Sequence, residues 1–214
     1  MIGLIKKDII ICFKSIKPLY FIVPLCTIIP LSQLSINIIN YIICTIITFI
    51  FVLFLSTSFQ YDEQFNWNTY AAILPLTQSV VVLSKYLFLI FLLATSGIIN
   101  IFVIGVINTI FHNPFFHGFF SAEITAITSG MFYGSIIIPA TYKFGITGSR
   151  YILILFFLIP SLLPYFFKLF DANLNIDYYE ILKILTVFLP GGIIIIMFCS
   201  FIISLVIYRK LEFK

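Results

Sequence analysis

The chain has 214 residues, of which 62% are hydrophobic and 9% charged, with a formal net charge of +4. Soluble domains carry roughly a quarter charged residues, so this composition excludes an ordinary water-facing globule and makes lipid the solvent of most of the chain. The basic residues are scattered singly beside apolar runs with no recognition motif, which excludes a nucleic-acid binder.

Residues 1–17 alternate apolar clusters with Lys6, Lys7, Asp8, Lys14 and Lys17. This pattern predicts an interfacial helix, an elbow before the first span, with its lysines toward acidic headgroups. The same lysines interrupt the N-terminal apolar run, so no cleavable signal peptide is expected. A first span is predicted from Pro18 to about Leu34, a tight polar turn over Ser32 to Asn37, and a second span over about Ile38 to Phe59.

Residues 60–85 break the apolar pattern. Asp62, Glu63, Gln64, Asn66 and Asn68 stand among Tyr61, Phe65, Trp67 and Tyr70, and Leu74-Pro75 follows. The segment predicts a short helix at the membrane surface, with Asp62 and Glu63 in its first turn, where the helix dipole favours acids. Trp67, Tyr70 and Leu74 would share one face. The residue before proline disfavours the α conformation, so the helix should stop near Leu74. An aromatic patch rimmed by polar groups points to a docking surface.

A third span is predicted over about Tyr86 to Phe111. It carries Ser96, Gly97, Asn100, Gly105 and Asn108, which are costly against lipid and should face other helices or a cavity. A Phe-rich loop with His112 and His117 leads into a fourth span over about Ala122 to Tyr142. Here Gly130 and Gly134 have the spacing that lets a neighbouring helix approach closely. Glu123 heads this span, where an acid faces water or a partner, so Glu123 and Asn100 are the candidate substrate contacts. Lys143 to Arg150 reads as a Gly-rich basic turn. A fifth span over Tyr151 to about Phe170 should be kinked by Pro160 and Pro164. The sixth, about Ile184 to Tyr208, has a possible break at Pro190-Gly191-Gly192.

Six spans place both ends on one side. Ten basic residues (Lys6, Lys7, Lys14, Lys17, Lys85, Lys143, Arg150, Arg209, Lys210 and Lys214) fall on that side, against Lys168 and Lys183 opposite. That asymmetry predicts cytoplasmic termini and a cytoplasmic 60–85 segment. The fold class is therefore all-α, a single six-span membrane domain over 1–214.

Little in the chain suggests chemistry of its own. There is no phosphate-binding G-x-x-x-x-G-K-[ST] loop, no HExxH and no GxSxG. Any ATP must bind another chain. Cys12, Cys26, Cys44 and Cys199 lie in apolar runs without CxxC spacing and read as filler. His112, His117 and Glu123 lack diagnostic ligand spacing, so no metal is expected.

Tyr61-Asp62-Glu63, Trp67, Tyr70, Leu74-Pro75 and Val81 to Tyr86, with Pro139 to Gly145 and Arg150, resemble the membrane subunits of type-2 ATP-binding-cassette exporters. At Gln78 the chain departs from that family, which usually carries arginine nearby. The resemblance implies a bacterial cytoplasmic-membrane permease that pairs with a second permease chain, identical or different. It also implies a separate ATPase partner that holds ATP and Mg and grips the 60–85 segment as a coupling helix. Asp62, Glu63, Phe65, Trp67, Tyr70, Leu74 and Pro75 would then form the coupling surface. The Phe- and Ile-rich interior favours an amphipathic or hydrophobic cargo, such as an exported peptide or a lipophilic drug. The alternative is a non-transporting immunity or assembly protein that uses the same surface for binding.

Overall fold

The computed structural model describes residues 2–15, 36–74, 77–110, 119–169 and 178–211. These residues form helices α1 (Ile2–Ser15), α2 (Ile36–Gln64), α3 (Trp67–Ile73), α4 (Gln78–Ile110), α5 (Phe119–Leu169) and α6 (Tyr178–Leu211). Among the described residues, four stretches are long and apolar enough to cross a membrane: Asn40–Gln64, Gln78–Ile107, Phe119–Ile152 and Gly191–Lys210. The expected first span, the loop holding His112 and His117, and Pro75 lie outside the described residues.

The helices follow from how polar side chains are accommodated in lipid. Backbone groups there must be satisfied within the segment, and most hydroxyls turn back onto their own helix. Thr57 donates to the Phe54 carbonyl at 2.8 Å, Ser96 to Leu93 at 2.8 Å and Thr141 to Ile137 at 2.9 Å. An apolar surface is left for neighbours or lipid. α2, with 29 residues, is about 44 Å long at 1.5 Å per residue. It therefore outlasts the roughly 30 Å hydrocarbon layer, and its last turns are free to carry charge.

α2 packs against α4 and α5, and α5 also carries α6. α1 lies across one end of the bundle on α2 and α4, burying Leu4, Asp8 and Cys12, which are spaced one turn apart on a single face. One core cluster fills that end: Phe54, Leu55 and Phe59 of α2, Val82, Phe88 and Leu89 of α4, and Ile138 and Tyr142 of α5. A second, around Ile43, Ile47, Ile104, Phe119, Ala122 and Ala126, fills the other end.

Gly130 and Gly134 sit where α5 meets α2 and α4. A Cβ on Gly130 would lie 2.7 Å from a Leu93 methyl and 3.2 Å from Thr48 and Val52, and one on Gly134 would run into Leu89. α6 is fastened by hydroxyls. Tyr86 Oη lies 2.6 Å from Ser200 Oγ and 3.0 Å from Ser204 Oγ, and Ser200 donates to the Ser135 carbonyl at 2.5 Å. The other flank of α6, with Ile194, Ile195, Phe198 and Ile202, is exposed.

Three boundaries differ from the sequence reading. The basic turn expected at Lys143–Arg150 is helical on both sides of a single residue, Gly145, at φ 70°, ψ −176°. Residues 190–192 continue α6 rather than breaking it. Asp62 and Glu63 belong to the last turn of α2, not the first turn of a surface helix. The chain bends after them at Asn66, which sits in the left-handed region at φ 48°, a conformation asparagine tolerates better than most residues.

Candidate functional site

At the end of α2 the helix dipole disfavours the two acids, and lysines from two other helices compensate. Lys85, near the start of α4, is buried, and each of its three N–H donors has a partner: Asp62 Oδ2 at 2.6 Å, Ser58 Oγ at 2.7 Å and the Asp8 carboxylate at 3.1 Å. Ser58 passes its own hydrogen to Asp8 at 2.9 Å. Lys7 of α1 reaches Asp62 Oδ1 at 2.5 Å and Asp8 at 3.5 Å. Two cations thus meet two anions, and the quartet is neutral. It joins α1, α2 and α4 at one end of the bundle.

The quartet also holds the root of α3. Lys7 Nζ lies 4.0 Å above the Trp67 ring, a cation–π contact that fixes the first residue of the short helix. Ala71 is buried, but the larger apolar side chains around it are exposed: Ile73 is 84% exposed, Phe65 just before the helix 69%, Tyr70 66% and Leu74 42%. Leu74 is extended (φ −77°, ψ 147°), as its place before proline requires. Residues Gln64 to Leu74 contain no charged side chain, so the projecting tip is apolar with a polar fringe.

Glu63 turns the other way, toward α5. Its Oε2 accepts a hydrogen bond from the Ile146 N–H at 3.1 Å, immediately after the Gly145 break. Phe59, Asp62, Trp67, Lys85, Tyr142 and Gly145 border a cavity of about 260 Å³ between α2, α3, α4 and α5.

A second polar group lies at the opposite end of the bundle. Asn100 is fully buried, and its Nδ2 donates to Glu123 Oε2 at 2.8 Å and to Thr48 Oγ1 at 3.2 Å, tying α4 to α5 and α2. Among the described residues, Glu123 Oε1, Asn100 Oδ1 and both side-chain polar atoms of Asn40 are buried with no hydrogen-bond partner. Among the described residues no group of three potential metal ligands comes together.

The candidate residues therefore divide. Asp62 faces the lysines, the exposed Glu63 reaches across to the Ile146 N–H, Trp67 is half-buried under Lys7, and Phe65, Tyr70 and Leu74 face outward. Glu123 and Asn100 bond each other. The sequence reading did not assign Lys7, Asp8, Ser58, Lys85, Ile73 or Gly145 to the site. The signal for the quartet was available in Asp8, the one acid among the lysines of residues 1–17, and in Lys85, a single charge in an apolar stretch, each of which needs a counter-charge when buried.

Long apolar helices packed on one another, with an ion quartet at one end and an exposed uncharged tip beside it, define a multi-pass membrane protein. The sequence profile described as ABC-2 family transporter protein matches residues 3–209, and the chain belongs to that family. It is a membrane component of ATP-binding-cassette transport, a role that implies an ATPase partner. Searches of curated proteins and of solved structures return no match.

Proposed function

We propose that this chain is the permease subunit of an ATP-driven exporter and that the α3 tip is the element on which a separate ATPase chain pushes. The observation that carries this reading is the contrast within one segment. Trp67 is pinned to the ion quartet, while Phe65, Tyr70, Ile73 and Leu74 are exposed among the described residues. A tip of this kind suits insertion into an apolar groove, and its anchored root suits the transfer of force into α1, α2 and α4. Pro75 would close the coupling surface. ATP and Mg belong to the partner.

In this reading the termini and α3 are cytoplasmic, two permease chains pair, and an amphipathic or hydrophobic cargo moves outward between them. Glu123 and Asn100, with their unpartnered acceptors at the far end, are candidate cargo contacts. The test is affinity purification of the full chain from its native membrane. Wild type should retain an ATP-binding-cassette ATPase, and Tyr70→Ala combined with Ile73→Asp should lose it while the permease stays in the membrane. Equal ATPase recovery from both forms would remove the reading.

A further inference from the structure

We propose that Glu63 is a positioning residue that links the α3 tip to the second half of α5, with Gly145 as the hinge. The inference rests on the coupling role proposed for α3 and adds a second route by which its displacement reaches the bundle.

Three observations converge. At φ 70°, ψ −176°, Gly145 occupies a region that is essentially glycine-only, so the helix stops there and restarts at Ile146. The first N–H groups of a restarted helix lack partners within it, and the Glu63 carboxylate takes that of Ile146 at 3.1 Å, where a negative charge also suits the helix dipole. Glu63 lies in the last turn of α2, just before the left-handed joint at Asn66 that launches α3. One side chain thus spans the joint of the docking helix and the break in α5. The adjoining cavity of about 260 Å³ gives the pair room to move.

Space is not what requires glycine at 145. A Cβ there would come no nearer than 3.4 Å to Glu63 Oε1, an ordinary contact. The backbone conformation is the constraint, so Gly145→Ala should draw the residue into the α region and convert the break into continuous helix.

The experiment uses spin labels at two exposed sites, Ile73→Cys on α3 and Tyr151→Cys on the second half of α5, in a full-length chain whose four cysteines are replaced, reconstituted in nanodiscs. Pulsed dipolar spectroscopy should give one narrow 73–151 distance distribution. Glu63→Ala should broaden it, Glu63→Gln should restore it because the amide carbonyl still accepts from Ile146, and Gly145→Ala should shift its centre. A control pair at Phe102 and Phe198, on α4 and α6, should stay unchanged in all three variants. A 73–151 distribution that Glu63→Ala leaves as narrow as before overturns the inference, as does equal broadening of the control pair. Because the measurement needs no ATPase, its outcome is separate from whether α3 docks one. If Gly145→Ala does not fold, the two Glu63 variants still decide.

Discussion

Asp62 at the end of α2 and Lys85 near the start of α4 meet at 2.6 Å, so the segment carrying α3 is closed at its base by an ion pair that also engages α1. Breaking a buried pair from one side leaves an uncompensated charge and costs about 3–5 kcal/mol. Lys85→Met should therefore destabilise the bundle by up to about that amount, because it leaves the two carboxylates of Asp8 and Asp62 to share the single cation of Lys7. Lys85→Met combined with Asp62→Asn should recover part of the loss. Thermal unfolding of the four forms in detergent gives the double-mutant cycle, and purely additive losses would show that the two residues are not coupled.

The half-exposed Lys7 should matter less to stability than Lys85. Its side chain is 25% exposed, and ion pairs open to solvent are worth little. Lys7→Met is expected to cost less than Lys85→Met in the same assay but to loosen α3, since it removes the cation above Trp67. Trp67 fluorescence should then become more accessible to a water-soluble quencher. Unchanged quenching would mean that the ring is held by something else.

Packing at the α4–α5 crossing gives a third expectation. Overfilling a close approach costs roughly 1–3 kcal/mol, so Gly134→Ala should lower the melting temperature through its collision with Leu89. Shortening the obstacle with Leu89→Ala should make the second substitution cheaper than it is in the wild-type background. Additivity of the two losses would contradict direct contact.

Burial, helped by the negative charge of Asp8, pushes the Cys12 thiol up to about 12 from an ordinary value of 9.0. The folded chain then keeps a proton that the unfolded chain releases above about pH 9. Stability contributed by this thiol is intact below pH 9 and is lost as the pH rises toward about 12. Cys12→Ala should flatten that portion of the stability profile relative to wild type. At neutral pH, maleimide should spare buried Cys12 until the bundle is unfolded, and early labelling of Cys12 would contradict its burial.

Much of this architecture was legible from periodicity and composition, because apolar runs in lipid have few alternatives to helix. The 60–85 break, the stop at Leu74 and the close-approach glycines all follow from local rules. The direction of Asp62 and Glu63 did not. Acids in an aromatic surface segment read as an exposed helix start, and only the long-range arrival of Lys85 and Lys7 at Asp62 and of the Ile146 N–H at Glu63 makes the end of α2 a tenable place for them. Residues 143–150 misled for the opposite reason: two glycines and two basic residues suggest a loop, yet one backbone conformation at Gly145 is the whole interruption. Ile73 went unnoticed because an isoleucine in so apolar a chain carries no signal until its exposure is seen.

The manner in which α6 is fastened bears on how the bundle can rearrange. Its described residues make no ion pair, and the phenol of Tyr86 serves two serines that lie one turn apart along the helix. Sliding α6 lengthwise by a single turn, about 5.4 Å, would exchange one serine for the other and still leave the phenol bonded, with bare hydrocarbon gliding along the opposite flank. Charge clamps α1, α2 and α4 at one end and Asn100 ties α2, α4 and α5 at the other, whereas the polar bonds of this helix are ones that a one-turn shift can exchange.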